Sequence, residues 1–326
     1  MIFLSEQDIL SAVTIQEMMD TMELAYLAYE NQAYLMPIRT QVSNQESDSL
    51  LFMPCFSKDA FGSKIVTVFP NNSIKKMPTT QGLMILNDSQ TGEVLSIMNG
   101  TSLTALRTGA LGGVAIRYLG HPKAKSIGLI GTGMQGKYQL MAALAARDIS
   151  DIYLYNRTQE KLFDFIEDLK QHIKKEIHIH PVENQSELIS QSDIIITATT
   201  SSTPVLPDDK DLLRHKLFIG IGSYQPSMQE FPKAIYNLID HLYIDTKDAI
   251  KESGDIINPI SDGLIERDQI IPFSKRVAGK QIVTDEEAEH QTFAFKSVGM
   301  ALFDVFAAEK IYKNAIGQKL GQIVLI

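Results

Sequence analysis

Residues 126–136 read Ser-Ile-Gly-Leu-Ile-Gly-Thr-Gly-Met-Gln-Gly. The short apolar run Ile127 to Ile130 predicts a buried strand. It ends in Gly131-Thr132-Gly133-Met134-Gln135-Gly136, and a helix-compatible stretch, Lys137 to Ala146, follows. A strand, a Gly-x-Gly-x-x-Gly turn and a helix in that order form the phosphate-binding start of a dinucleotide fold. Gly131 permits the tight turn, Gly133 lets a pyrophosphate approach the backbone, and Gly136 lets helix and strand pack closely. The helix N-terminus offers free N–H groups and a positive dipole end to the phosphates. The plainer alternative is a glycine-rich turn without a ligand, and the next strand weighs against it.

That next strand, Asp151 to Tyr155, runs into Asn156-Arg157-Thr158. In a dinucleotide fold this tip meets the adenosine ribose, where a carboxylate favours NAD and an arginine accommodates a 2′-phosphate. No acid stands at 156–158. Arg157 supplies a planar cationic fork, and Asn156 and Thr158 add neutral hydrogen-bonding groups. NADP(H) is therefore preferred to NAD(H), with NAD(H) still open. The competing expectation is that Asn156 and Thr158 cap a helix from Gln159 while Arg157 is solvated.

From 126 to about 280, strands (126–130, 151–155, 177–180, 193–198, 217–221, 241–245) alternate with helices starting near 134, 158, 184, 233 and 246. Such alternation implies an α/β fold with a Rossmann-type, doubly wound, mostly parallel sheet. Ligands in such sheets lie beyond the carboxyl ends of the strands. That rule points to Thr197-Ala198-Thr199-Thr200 and to Gly220-Ile221-Gly222-Ser223-Tyr224.

The flanking segments differ. Ser5 suits a helix cap, and Thr14-Ile15-Gln16-Glu17 is a capping-box pattern opening a second helix. Ile15, Met18, Met19, Met22, Leu24 and Leu27 mark that helix's apolar face. Short β-like runs follow at Leu50–Met53, Lys64–Phe69, Leu83–Leu86 and Val94–Met98, the last two joined by a hairpin loop at 87–92. A helix rich in small residues begins after Asn99-Gly100-Thr101, runs to Tyr118 or Leu119 and is stopped by Gly120-His121-Pro122. Residues 286–315 read as helical and are expected to pack back onto the first part of the chain. The expected domains are 120–285 for the dinucleotide, and 1–119 with 286–326 as a discontinuous α+β substrate and dimerisation domain.

The chain has 326 residues, of which 44% are hydrophobic and 21% charged, so two domains with sizeable cores are expected. A net charge of -9 counts against general binding to nucleic acid or to an anionic membrane. No apolar stretch reaches transmembrane length, and Met1 to Glu6 lacks the start of a signal peptide. With a single cysteine, Cys55, no disulfide can form within the chain; a cytoplasmic, reducing setting is expected. Two histidines, His178 and His180, share a strand face, where surface or packing roles outweigh a metal site.

Several segments together carry a family resemblance. They are Pro37-Ile38-Arg39; Gly62-Ser63-Lys64-Ile65-Val66; Gln81-Gly82; Leu103-Thr104-Ala105-Leu106-Arg107-Thr108-Gly109-Ala110; Gly131 to Gly136; Asn156-Arg157-Thr158; Lys251-Glu252-Ser253-Gly254-Asp255; and Phe295-Lys296-Ser297-Val298-Gly299. In this order, over essentially the whole chain, they resemble the ornithine cyclodeaminase/μ-crystallin family. The resemblance implies a dimeric, NAD(P)-dependent protein that exchanges hydride at the carbon bearing amine and carboxylate. It implies that Arg39 binds a substrate carboxylate, that Lys64 is the active-site lysine, and that Arg107 lies between cofactor phosphate and substrate. It further implies cofactor contacts from Thr79 and Thr80 near the nicotinamide. Thr132, Gly133, Met134 and Gln135 would meet the pyrophosphate, with Thr197 and Thr199 along the cofactor and Lys296 or Ser297 near the nicotinamide amide.

Related cyclodeaminases and alanine dehydrogenases carry an aspartate after the strand at 217–221. Here the segment reads Gly222-Ser223-Tyr224-Gln225-Pro226, with Tyr224 in that place. A tyrosine, with an ordinary pKa of about 10, cannot replace a carboxylate base near neutrality. The segment resembles the Δ1-pyrroline-2-carboxylate reductase branch, in which the ring would face a small cyclic imine. The expectation is therefore a ketimine reductase making L-proline, and by extension L-pipecolate from the six-membered imine. Ornithine cyclodeaminase, an open-chain amino-acid dehydrogenase and a non-catalytic NADP-dependent binding protein remain the alternatives.

Overall fold

Strands form where short apolar runs lie between glycine, proline and polar turns. In the computed structural model, which describes residues 1–44, 48–75, 77–173 and 175–325, they assemble into two sheets. The chain divides into two compact units, residues 1–107 with 300–326, and residues 108–299.

The first unit opens with strand β1 (Ile2–Leu4), which the sequence pattern did not reveal. Helix α1 (Glu6–Ala12) and helix α2 (Ile15–Glu30) follow, each started by a capping box, at Ser5 and Thr14. Each box satisfies backbone N–H groups that a helix start leaves without partners. In α2 the buried face is Met18, Met19, Met22, Ala25, Tyr26 and Tyr29. Leu24 is instead 58% exposed, because the helical period turns it to the side opposite this face.

Strands β2 (Thr40–Ser43), β3 (Ser49–Phe56), β4 (Ala60–Val68), β5 (Thr80–Asp88) and β6 (Val94–Asn99) form an antiparallel meander. The β5–β6 hairpin turns where expected. Asp88 Oδ1 accepts from the N–H groups of Gln90 and Thr91, and Gly92 has a φ of 77°. β1 adds parallel to β6, and Gln322–Ile323 pairs with β1. One face of this sheet, with Met53, Cys55, Lys64 and Met84, is buried, and the C-terminal helix Ala301–Gln318 packs on β3, β4, β5 and α2. Helix α3 (Gly100–Leu119) then runs unbroken despite its glycines.

In the second unit all strand pairings are parallel. β7 (Ser126–Ile130), β8 (Asp151–Tyr155), β9 (His178–Pro181), β10 (Ile194–Thr197), β11 (Leu217–Gly220), β12 (Leu242–Ile244), β13 (Ile270–Pro272) and β14 (Phe293–Lys296) lie in the order β13-β12-β14-β11-β10-β7-β8-β9. Residues 194–197 and 217–220 are buried throughout, as befits strands covered on both faces. The chain winds outward from β7 through β8 to β9, then returns to the other side of β7 at β10. The switch point between β7 and β10 is where such sheets bind ligands.

Two expectations need correction. Residues 286–315 are not one helix: a short helix Asp285–His290 precedes β14, and the last helix starts only at Ala301. The run Phe293-Ala294-Phe295-Lys296 is short and fully buried, so it shows no alternation to mark it as a strand. The helix after β8, Lys161–His172, begins later than Gln159 and has no side-chain cap. Asn156 instead folds onto its own turn, with Nδ2 donating to Thr158 O at 2.8 Å.

Candidate active site

The dinucleotide cradle belongs to the second unit. Gly131 has a φ of 99°, where a side chain would be strained and would also strike Ala198 O. At Gly136 a side chain would run into Gly131 O, whereas the space beside Gly133 is open. Helix α4 (Met134–Ala146) begins at Gly133 without a side-chain cap, so its first N–H groups face that opening.

Three polar atoms there are buried without a protein partner: Thr132 Oγ1, Gln135 Oε1 and Thr197 Oγ1. Thr197 ends β10 directly beside Ile130 of β7. Buried polar groups are ordinarily bonded, so this cluster fits a polar ligand that would bond them. Met134 is 49% exposed at the helix start. Asn156 Oδ1 lies 3.5 Å from Thr132 N, tying the tip of β8 to the glycine turn, and Arg157 and Thr158 are exposed beside it. The residues present therefore fit a nicotinamide dinucleotide.

Beyond β10 and β11 lies a buried acidic network. Glu230 Oε1 accepts from Thr199 N and Oγ1, at 2.7 and 2.9 Å, and its Oε2 from Gly222 N and Ser223 N, at 2.8 and 3.2 Å. Asp255 Oδ1 accepts from Glu230 N and Phe231 N, and Lys296 Nζ lies 3.2 Å from Asp255 Oδ2 and 3.7 Å from Glu230 Oε2. Burial pushes the Glu230 carboxyl up, against the pull of Lys296. Lys296 is thus fully enclosed by this network.

The neighbouring Ser297 is also engaged within the unit. Its Oγ donates to Asp245 Oδ2 at 2.7 Å. Tyr224 is half-buried, and burial raises its phenol above its ordinary value. Ser223 and Gln225 hold its loop through Ser253 Oγ and Gly254 N.

The first unit brings together a different set. Lys64 on β4 lies in register with Met53 and Met84 and faces the C-terminal helix. Its Nζ lies 2.7 Å from Asp304 Oδ2, and Arg107 Nε of α3 donates to Asp304 Oδ1 at 2.9 Å. All three are buried. Burial lowers the Lys64 pKa to about 8; Asp304 opposes this, while Arg107 and Arg39 reinforce it. Burial also works against the Asp304 charge, but Lys64 and Arg107 outweigh it and hold the carboxyl below its ordinary value.

Arg39 is half-buried just before β2. Thr79 and Thr80 are exposed at the start of β5, away from any burial that would mark a built pocket. Asp304 escaped the sequence reading. Its signal was a single acid inside the apolar run Ala301-Leu302-Phe303-Asp304-Val305-Phe306. The histidine pair has a local role: His180 Nε2 lies 2.9 Å from Asp151 Oδ1, and its ring stacks on Tyr153.

Comparison with known proteins places this architecture. The model of the ornithine cyclodeaminase/mu-crystallin family matches residues 1–319. A Δ1-pyrroline-2-carboxylate reductase of Bacillus cereus is 33% identical over 327 residues, covering 99% of each chain. The solved Δ1-pyrroline-2-carboxylate reductase of Thermococcus litoralis, in complex with NADH and L-proline, is similar at a TM-score of 0.92 and 31% identity, covering 99% of this chain and 100% of that one. An archaeal alanine dehydrogenase dimer with bound NAD is similar at a TM-score of 0.89 and 28% identity, with 98% of each chain covered. The chain belongs to the ornithine cyclodeaminase/mu-crystallin family.

Proposed function

We propose that this family member is an NADPH-dependent reductase of cyclic imino acids, converting Δ1-pyrroline-2-carboxylate to L-proline and the six-membered homologue to L-pipecolate. The carrying observation is the buried ammonium and guanidinium of Lys64 and Arg107 with one carboxylate, Asp304, between them. Two buried cations against one anion leave room for one more negative charge, and a substrate carboxylate supplies it. The names of the Bacillus cereus and Thermococcus litoralis relatives support the same substrate.

In this reading Arg39 and Arg107 hold the substrate carboxylate, for which a guanidinium fork is suited. The Lys64 ammonium gives a proton to the imine nitrogen, which makes C2 electrophilic. An ammonium whose pKa is near 8 is both mostly protonated at neutral pH and ready to release its proton. A nicotinamide cofactor, when bound, would supply the hydride to C2. Tyr224 offers a flat apolar ring with a hydroxyl, and burial keeps that hydroxyl protonated as a donor. Gly133, Thr132, Gln135 and Thr197 would hold the dinucleotide, and exposed Arg157 would meet the 2′-phosphate that distinguishes NADPH.

A homodimer is part of this proposal. Alternation along β4 puts Ile65 on the face opposite Lys64, in a cross-strand row with Phe52 and Leu83. Phe52 and Leu83 are 37% and 52% exposed, and Ile38, Val42 and Phe56 are exposed as well. An exposed apolar face of this kind marks an interaction surface. Sedimentation should find a dimer, and a monomer at micromolar concentration would remove this part.

The deciding assay follows NADPH absorbance with Δ1-pyrroline-2-carboxylate, beside ammonia release from L-ornithine. Rapid NADPH loss without ammonia is expected, with kcat/KM falling as pH rises through about 8, where Lys64 loses its proton. Ammonia release without net NADPH consumption would mean a cyclodeaminase instead. Silence in both would favour a cofactor-dependent binding protein.

A further inference from the structure

Lys64, Arg107 and Asp304 come from β4, α3 and the C-terminal helix, and the acid sits between the two cations. Asp304 engages Arg107 through Nε. The two terminal nitrogens of the guanidinium are therefore not committed to it, and they form the edge that grips a carboxylate bidentately. The other oxygen of Asp304 meets the Lys64 ammonium. One carboxylate thus fixes both the rotation of the guanidinium and the position of the ammonium.

We propose that Asp304 is the positioning residue of this site, orienting Lys64 and Arg107 toward one substrate carboxylate and one imine nitrogen without itself touching the substrate. The proposal rests on the reductase reading above. The charge pattern supports it. Around Lys64 stand the cations Arg107 and Arg39, both of which discourage its charge, and Asp304 is the group that favours it. Burial, helped by the Asp304 charge, pushes the Cys55 thiol on β3 up to about 12, so it stays neutral. Without Asp304 the ammonium would face two guanidinium groups in a buried setting, and it would shed its proton at lower pH.

A merely structural acid would change stability alone. A positioning acid changes the pH profile of its partner. The experiment measures kcat/KM for Δ1-pyrroline-2-carboxylate and NADPH from pH 6 to 10 for the wild type, Asp304→Asn and Asp304→Glu, with melting and NADPH binding read alongside. The wild-type alkaline limb is expected near 8. In Asp304→Asn it should move down by roughly one unit or more, the usual size of a lost charge partner. The plateau should fall on the order of a hundredfold, as expected for misplaced groups.

Asp304→Glu keeps the charge but moves it. Its limb should stay near the wild-type position while kcat/KM drops by roughly tenfold. A folded Asp304→Asn protein with an unmoved limb overturns the proposal. If Asp304→Asn does not fold, Asp304→Glu decides, because wild-type kcat/KM in that variant would show that the position of the carboxylate is immaterial. A wild type that never consumes NADPH with the imine points to failure of the reductase reading, a different result from an active wild type with indifferent variants.

Discussion

Each unit buries a three-residue charge cluster, and the two are built in opposite ways. In the second unit, Glu230 and Asp255 set two carboxylates against one ammonium, Lys296. Backbone N–H groups of Thr199, Gly222, Ser223, Glu230 and Phe231, with the Thr199 hydroxyl, meet the carboxylate oxygens. These contacts rivet the loops after β10 and β11, while Asp255 Oδ2 and Lys296 Nζ are buried without a hydrogen bond and face each other at 3.2 Å. In the first unit, Lys64 and Arg107 set two cations against one carboxylate, and Arg39 adds a further positive field. An excess of negative charge held by amides fits a brace, whereas an excess of positive charge beside one acid fits the anion receptor proposed above.

The contrast is sharpest at Lys64. Lys64→Met should cost about 10³-fold or more in kcat/KM, roughly 4 kcal/mol, as for loss of a general acid. Its unfolding midpoint should hardly change, because Arg107 and Asp304 remain as a balanced pair and an apolar side chain of similar length fills the space. Loss of folding without a specific loss of activity would make Lys64 a brace residue, contrary to this comparison.

Glu230→Gln is the mirror experiment. It removes a charge from a closed network and turns one acceptor oxygen into a donor facing backbone N–H groups. A stability loss of about 3 kcal/mol is expected in urea unfolding. If kcat/KM for the imine changed by orders of magnitude with no change in stability, the second cluster too would be part of the chemistry.

The smallest expected effect lies at the solvated end of the cradle. Arg157→Ala should weaken NADPH by about 2 kcal/mol, roughly thirtyfold, the range for hydrogen bonds to a charged group. NADH should be nearly unaffected. Equal losses for both cofactors, or none, would remove the proposed preference for the phosphorylated form.

Much of the second unit was readable along the chain because its signals are local. A strand, a glycine turn and a helix fit within 126–146, and the parallel sheet follows from repetition of that pattern. β14 was not readable: four buried residues with no alternation, preceded by an acidic helix, look like more helix. The helix cap at Ser5 and the capping box at Thr14 were readable for the same local reason, since each closes within three residues.

The sequence alone determined the glycine-rich turn between strand and helix, the alternation that makes a parallel sheet, and the presence of Arg39, Lys64 and Arg107 in the segments that carry the family resemblance. Only the tertiary structure revealed that Asp304 joins two of them, because its partner Arg107 lies 197 positions away and no local spacing reports such a contact. Burial decided the rest. A lysine side chain at 296 is enclosed by two carboxylates and backbone-held loops, whereas the one at 64 meets a single carboxylate that it shares with Arg107. That difference is set by what the fold packs around each ammonium.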